Sequence, residues 1–450
     1  MNRFQLTLIA GDLVLALSAL YAAFILRFGE TLAPAMHRQP EQMLAFALAM
    51  LFSSFFVEMY NRLDMTLKTL LMRITFSLVL SFFLLSALYY LLPSTMYGRG
   101  VLFLAMFVFG GLQIVWHMFL RRMHMFPGLA KRVLIVGTGP LARQMGLLVD
   151  TRRQQYVLSG YYDLECEPVD VPRQKIVPNG HGLFAAVKQQ RAQKVVVSLS
   201  QRRGVFPLQE MLSCKVSGVE VVDAPTFYEQ VTGKLLLENI TPSWFIFSSG
   251  FRFNSLIRVA KRMLDVFAAS LGLLLTLPLL PVVALLIKLD SPGPVFFRQT
   301  RVGQGDKEFT LIKFRSMRQD AESRTGAVWA EQDDPRITRL GRFLRKTRID
   351  EIPQLFNVLQ GDMSLVGPRP ERPEFVAKLK ELIPYYSERH YVKPGVTGWA
   401  QVCYPYGASV EDAIEKLRYD LYYVKNMSIL FDIRIMLRTI GVILFREGSR

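Results

Sequence analysis

The segment Arg348-Ile349-Asp350-Glu351-Ile352-Pro353-Gln354-Leu355, followed by Gly361-Asp362-Met363-Ser364-Leu365-Val366-Gly367-Pro368-Arg369-Pro370, sets two adjacent carboxylates among arginines. Pro353 belongs in a first helical turn, where its missing N–H costs nothing. Ile352, Leu355, Phe356 and Leu359 then form one apolar face, and Gly361 ends the helix. Asp350 and Glu351 therefore sit at or just before the first turn, where unpaired N–H groups and the positive end of the helix dipole favour anions. Alone, Asp350 reads as a helix cap. The company changes that reading: Lys313, Arg315, Arg318, Arg342, Arg345, Lys346, Arg348 and Arg369 lie along the same stretch. A carboxylate doublet among so many cations suggests a metal–phosphate site, with one carboxylate attacking phosphorus and its neighbour holding Mg²⁺.

Such a site needs a scaffold, and the rest of the chain supplies three kinds of segment. Four apolar runs, roughly Phe4–Leu26, Gln42–Tyr60, Leu71–Leu92 and Val101–Leu120, match the length needed to cross a bilayer. Arg3, Arg62, Lys68, Arg73, Arg121, Arg122, Lys131 and Arg132 flank one side, and only Arg27, Arg38 and Arg99 the other. The positive-inside rule then puts everything after Arg121 in the cytoplasm. Few ionisable groups are expected within the spans: Glu58 near one end, and His117 where a helix meets the interface. They read as an anchor rather than a relay.

Residues 1–125 thus form the anchor, and 126–250 an α/β module. Lys131-Arg132-Val133-Leu134-Ile135-Val136-Gly137-Thr138-Gly139-Pro140 is a buried strand, a glycine turn and a helix start. Further strand-like runs are Val157–Tyr162, Lys194–Leu199 and Gly218–Val222, which predicts a parallel sheet with helices between. The turn is similar to a dinucleotide fingerprint, but Pro140 and Ala142 replace its glycines. Asp163 stands about where a ribose contact belongs. The module is open to two readings, a nucleotide site or a Rossmann-like unit for dimerisation or regulation.

Residues 251–450 form the third unit, mainly helical. Its apolar run of about 263–289 is broken by Pro278 and Pro281, with Lys261 and Arg262 before it and Lys288 and Arg298 at and after its end. Cations on both flanks suit a re-entrant helical hairpin; a fifth span would put the basic domain outside. The last apolar stretch, Ser428 to Phe445, contains Asp432, Arg434 and Arg438 and suits an interfacial helix. Trp399, Tyr404, Tyr406, Tyr422 and Tyr423 fit headgroup depth or ordinary core packing. His390, beside Arg389, reads as a packing histidine.

Composition agrees. Of 450 residues, 51 % are hydrophobic, and the net charge of +17 suits a protein working against anionic headgroups and phosphates. No nucleic-acid motif accompanies that charge. Cys166, Cys214 and Cys403 show no metal-ligand spacing and read as reduced cytosolic thiols.

From about Arg258 onward the chain resembles the monotopic polyprenyl-phosphate phosphoglycosyl transferases, the bacterial sugar transferases that initiate exopolysaccharide and O-antigen synthesis. The matching stretches are Lys261–Asp265, Ser291–Gln299, Lys313–Met317, the Asp350–Pro370 block, Lys393–Val402 and Asp420 to Asp432. The four spans and Rossmann-like module resemble the large-form members. The resemblance implies a bacterial inner-membrane enzyme with its catalytic domain on the cytoplasmic face. Its substrates would be a UDP-sugar and undecaprenyl phosphate, its cofactor Mg²⁺, its products UMP and a lipid diphosphate sugar. Glucose and galactose are the commonest sugars, and a homodimer is plausible. It further implies Asp350 as nucleophile and Glu351 as metal ligand. Lys313, Arg315, Arg345 and Arg369 would meet the diphosphate, Pro368 and Pro370 would shape the nucleotide pocket, and Asp432 would be a further substrate-site acid. Nearby arginines should keep Asp350 ionised. One departure stands at the hairpin break, where the simplest members have Ser-Pro and this chain has Leu277-Pro278.

Two rival functions predict different residues. A membrane-anchored NAD(P)-dependent sugar-nucleotide dehydratase or epimerase needs Tyr-x-x-x-Lys, and no tyrosine here has a lysine four positions later. A non-catalytic nucleotide-sensing scaffold would need only the Gly137 to Ala142 turn.

Overall fold

The computed structural model describes residues 3–29, 40–57, 59–60, 67–123, 130–152, 155–178, 182–199, 206–240, 245, 248, 250–251, 254–318, 336–405, 407 and 409–445. Arg38, Glu58, Arg62 and Tyr406 lie outside them. The chain divides into two compact units, Met1–Ala224 and Pro225–Arg450.

The first unit begins with four apolar helices: α1 (Arg3–Phe28), α2 (Pro40–Phe56), α3 (Leu67–Leu91) and α4 (Arg99–Met123). Three of them contain segments long and apolar enough to cross a membrane, whereas the 17 residues of α2 make a shorter apolar helix. Alanines Ala16, Ala19, Ala23 and Ala105 let the helices approach around Phe46, Met50 and Phe109. Larger side chains such as Phe83, Phe103 and Phe107 face outward, as expected of helices bathed in lipid.

The expectation of an interior nearly free of ionisable groups fails at Asp12. Fully buried in α1, its carboxylate accepts from the Tyr60 hydroxyl at 2.9 Å and from Gln113 Nε2 at 2.7 Å. The His117 ring nitrogen lies 3.3 Å away. Gln113 also donates to Ser54, which pairs with Ser77 of α3, so all four helices join one polar network. His117 is buried among these helices. A lone aspartate in a long apolar run carries little weight in a periodicity reading.

The α/β module follows, with β1 (Lys131–Val136), α5 (Pro140–Thr151), β2 (Tyr156–Tyr162), β3 (Ile176–Val177), α6 (Gly182–Gln189), β4 (Lys194–Val197), α7 (Leu208–Val216) and β5 (Glu220–Asp223). The strands are parallel in the order β3-β2-β1-β4-β5, the doubly wound arrangement the sequence predicts. The short β3 is the strand that escaped the sequence pattern. At the glycine turn, Thr138 donates to Asp163 Oδ1 at 3.1 Å, and the Glu165 N–H donates to the same oxygen at 2.9 Å. A Cβ on Gly139 would come within 2.6 Å of Glu167 Oε2. The chain's own acids therefore crowd the place where a dinucleotide phosphate would approach.

The second unit opens with α8 (Ala224–Thr232), which begins one residue before the division between units. Next come α9 (Ser255–Thr276) and α10 (Leu279–Asp290), bent by 62° at the Leu277-Pro278 break. Asn254 caps α9 by accepting from the Leu256 N–H. At the bend the Thr276 hydroxyl donates to the Gly272 carbonyl at 2.7 Å. A hydroxyl is therefore present one residue before the position where Leu277 replaced serine. Along the pair Met263, Phe267, Leu274, Leu275, Val282, Leu285 and Leu289 are exposed, which suits a re-entrant membrane element.

The remaining elements are β6 (Phe296–Val302) paired antiparallel with β7 (Glu308–Phe314), then α11 (Arg339–Thr347), α12 (Gln354–Gln360), β8 (Ser364–Val366), α13 (Pro373–Leu382), β9 (Gly395–Thr397), α14 (Trp399–Cys403), α15 (Val410–Lys425) and α16 (Ile429–Phe445). Trp399 and Tyr423 are buried, and Trp399 donates to the Gly233 carbonyl at 2.7 Å. Core packing accounts for them. His390 meets Asp306 at 2.6 Å, and Lys380 joins the same carboxylate at 2.9 Å, tying down the β6–β7 turn. Burial and Arg389 hold His390 down at about 4 despite Asp306, so it stays neutral at physiological pH.

Candidate active site

Helix α11 ends at Arg348, which adopts the left-handed conformation at φ 60°. That reversal releases the chain into a 3-10 turn, Ile349–Glu351, which runs through Ile352 and Pro353 into α12. The carboxylates thus stand in the turn before the helix, as expected, and Gly361 ends α12 at φ 97°. The buried face differs from the expected one. Phe356 is exposed, while Gln354, Asn357 and Val358 are buried. Leu355 and Leu359 still pack into the core, and Asn357 adds a polar anchor to it: its side-chain oxygen accepts from the Ile312 N–H at 3.1 Å and its nitrogen donates to the Thr310 carbonyl at 2.8 Å. One asparagine docks α12 against β7, the strand that carries Lys313.

Glu351 is the hub. Its Oε1 lies 3.1 Å from Arg369 Nη2 and 3.7 Å from Lys313 Nζ, and its Oε2 lies 3.3 Å from Arg348 Nη1. Burial pushes its carboxyl up, but Arg369, Lys313 and Arg348 prevail and bring it down to about 2. Asp350 behaves oppositely. Burial first, then the neighbouring Glu351 charge, raise its carboxyl above the ordinary value against Lys313, Arg345 and Arg369. Lys313, Arg345 and Arg369 thus oppose the rise at Asp350 without outweighing burial and the Glu351 charge. Its Oδ1 is buried with no hydrogen-bond partner. Burial and the Arg369 charge bring Lys313 down to about 8, despite Glu351 and Asp350.

The loop bearing Pro368, Arg369 and Pro370 is gripped at successive backbone oxygens. Lys261 Nζ donates to the Val366 carbonyl at 3.0 Å, and the Tyr423 hydroxyl oxygen lies 3.1 Å from the same carbonyl. The Gly395 N–H donates to Pro368, Arg389 Nη2 to Arg369 and Arg301 Nη1 to Pro370, at 2.9, 2.9 and 3.2 Å. The Val302 N–H donates to Glu371 at 3.0 Å. Arg389 is itself held by Asp420 at 2.8 Å, a pair with side chains only 5 % and 3 % exposed. Gly367 and Gly395 cross so closely that a Cβ on either would strike the other's strand backbone. Gly395 serves that crossing.

Not every expected residue joins the Glu351 group. Asp432 receives Lys261 at 2.6 Å and the Tyr423 hydroxyl at 2.7 Å, so it backs the clamp on Val366. Arg315 donates to the carbonyls of Pro292 and Ser291 at 2.8 and 2.6 Å, closing the loop after α10. Arg345 donates to the Ser316 hydroxyl at 2.9 Å while its charge still reaches Asp350. The roles of Lys261, Arg389 and Asp420 in holding this loop carry no position-specific signal in one sequence; the polar Gln354 and Asn357 inside an apolar helix are the readable clue.

Among the described residues no group of three or more His, Cys, Asp or Glu could hold a metal ion. Two adjacent carboxylates, one with an orphaned buried oxygen, fit Mg²⁺ brought by a diphosphate, since that ion commonly takes one or two carboxylates plus water and phosphate oxygens.

A family model described as bacterial sugar transferase matches residues 256–446. The chain is 42 % identical over 237 residues to a UDP-N-acetylgalactosamine-undecaprenyl-phosphate N-acetylgalactosaminephosphotransferase of Aeromonas hydrophila, covering 53 % of this chain and 55 % of that protein. It is 35 % identical over 329 residues to an undecaprenyl-phosphate glucose phosphotransferase of Komagataeibacter xylinus, covering 71 % and 60 %. It is 48 % identical over 187 residues to the exopolysaccharide production protein PSS of Rhizobium leguminosarum bv. phaseoli, covering 40 % and 94 %. The chain spans 55 % and 60 % of the first two relatives, and nearly all of the third.

Proposed function

Because the chain belongs to the bacterial sugar transferase family, we propose that it transfers a sugar 1-phosphate from a UDP-sugar to undecaprenyl phosphate at the cytoplasmic face of the inner membrane. The product would start an exopolysaccharide or O-antigen repeat unit. The observation that carries this reading is the pairing of Asp350, with an unpartnered buried oxygen, and Glu351, ringed by three cations.

The reaction is two displacements at one phosphorus. An Asp350 oxygen bonds to the β-phosphorus, the bond to the bridging oxygen breaks, and UMP leaves with that oxygen and the electron pair. A phosphate oxygen of the lipid then bonds to the same phosphorus, and the Asp350 carboxylate departs regenerated. Phosphoryl transfer asks mainly for in-line placement and cations on the transferring oxygens. Arg369 and Lys313 supply those cations, Arg345 adds charge toward Asp350, and Pro368 and Pro370 border the nucleotide. Mg²⁺, when bound by Glu351, would neutralise diphosphate charge. Glu351 stays ionised throughout the physiological range, as a ligand for a cation must.

Purified protein with Mg²⁺, undecaprenyl phosphate and a panel of UDP-sugars should release UMP, and Asp350→Asn should abolish it. Without acceptor, mass spectrometry should find a phosphosugar on the Asp350 peptide. Product accumulating with the adduct on another peptide would reject the assignment.

A further inference from the structure

The Asp350 face carries a second polar group without a role so far. Gln354 is 3 % exposed, and its amide nitrogen, like Asp350 Oδ1, is buried without a hydrogen-bond partner. Gln354 follows Asp350 by four residues and Glu351 by three. The run between them is continuous: Ile352 (φ −54°, ψ −41°) and Pro353 (φ −62°, ψ −16°) carry right-handed helical backbone from the 3-10 turn into α12. Side chains three and four apart share a helix face, so the amide stands one turn beyond the carboxylates on their side.

The contrast with Asn357 on the same helix is informative. Asn357 satisfies a strand N–H and a strand carbonyl and thereby serves packing. Gln354 serves nothing of that kind. A buried N–H left unmade loses its water without compensation, and native structures retain few such groups. Methionine or leucine would fill the space without that penalty. A dry donor one helical turn from an oxygen nucleophile matches what an arriving phosphoryl group lacks, namely a neutral hydrogen bond to a non-bridging oxygen.

We infer that Gln354 Nε2 donates a hydrogen bond to a non-bridging oxygen of the phosphoryl group as it passes to and from Asp350. The inference rests on the transferase reading above and adds a catalytic residue to it. Being uncharged, the amide steadies the crowded phosphorus in both displacements without the lasting attraction that a further cation would exert on the trapped phosphosugar. Lys313 and Arg369 meet charge; Gln354 meets geometry.

The test uses full-length protein in detergent with Gln354→Met, of similar volume, and Gln354→Leu as a second apolar replacement. Three quantities are read: the rate of UMP release from a UDP-sugar in a single turnover, the steady-state kcat and KM for the donor, and the melting temperature without substrate. Release should slow about 100-fold, the loss typical of one transition-state donor. KM for the donor should change far less than kcat, and melting should hold or rise because an unsatisfied donor has been removed. Release at the wild-type rate by either variant overturns the inference. So does melting of both variants several degrees below wild type, which would make the amide a packing element. Wild-type protein that releases no UMP from any donor would instead reject the underlying transferase reading.

Discussion

Asp350 and Glu351 are sequence neighbours with opposite acid–base character, and the cause is how cations are shared. Glu351 takes Arg369, Lys313 and Arg348, while Asp350 keeps burial and its neighbour's charge. The nucleophile must be ionised, so activity is lost as pH falls through a carboxyl value raised above the ordinary range. Lys313 must be charged, so activity is also lost as pH rises through about 8. A bell-shaped kcat/KM profile is therefore expected, and Lys313→Arg should move the alkaline limb upward, since guanidinium stays protonated. An alkaline limb unchanged by that substitution would remove Lys313 from the account. At this scale the sequence displayed the carboxylates and the nearby cations. It did not display which cation serves which acid, because Lys313 and Arg369 arrive from separate segments that only the fold brings to Glu351, where Arg348 joins them from three residues away. Arg315 shows the limit: the same residue type in the same stretch is consumed by the carbonyls of Ser291 and Pro292.

The element that matters most is the loop from Val366 to Glu371. Prolines at 368 and 370 remove backbone donors, and side chains and strands grip the oxygens, so Arg369 is presented from a framework with little freedom. Arg389 and Asp420 form the buried part of that grip. Arg389→Ala would leave Asp420 buried and unpaired, a loss of about 3–5 kcal/mol for broken buried pairs. Chemical denaturation should register that loss; a change below about 1 kcal/mol would mean the pair adds little. Helix α12 shows what periodicity could and could not supply. Its start at Pro353 and stop at Gly361 were legible, because each residue has one backbone preference that suits the position. Its inward face was legible only in part: Leu355 and Leu359 pack inward as the periodicity predicts, and Phe356 does not. In a membrane-associated protein both the core and the lipid accept apolar side chains, so Phe356 can point outward and polar Asn357 inward. The bend of α9 and α10 was legible through its prolines, whereas the hydroxyl at Thr276 sat one residue from where it was sought.

Across the whole molecule, the order of apolar runs and a parallel sheet, without its short β3, could be read from composition, run length and alternation. The interior of the membrane helices could not, because a network assembled from single polar residues on distant helices leaves no periodic trace. Asp12 meets Gln113 across 101 positions of sequence. Asp12→Leu should strand the donors of Tyr60, Gln113 and His117 and lower the detergent melting temperature, whereas Asp12→Asn should keep part of the network and lose less. Equal melting of Asp12→Leu and wild type would show the network to be dispensable. Because an aspartate near the middle of an apolar helix disfavours insertion by about 2.5–3.5 kcal/mol, α1 leaves the ribosome as a reluctant resident of the bilayer. Its carboxylate finds its full complement of donors only once α4 has been synthesised. Within this bundle α1 thus waits on α4, and a chain interrupted between them would leave the Asp12 carboxylate short of its Gln113 donor.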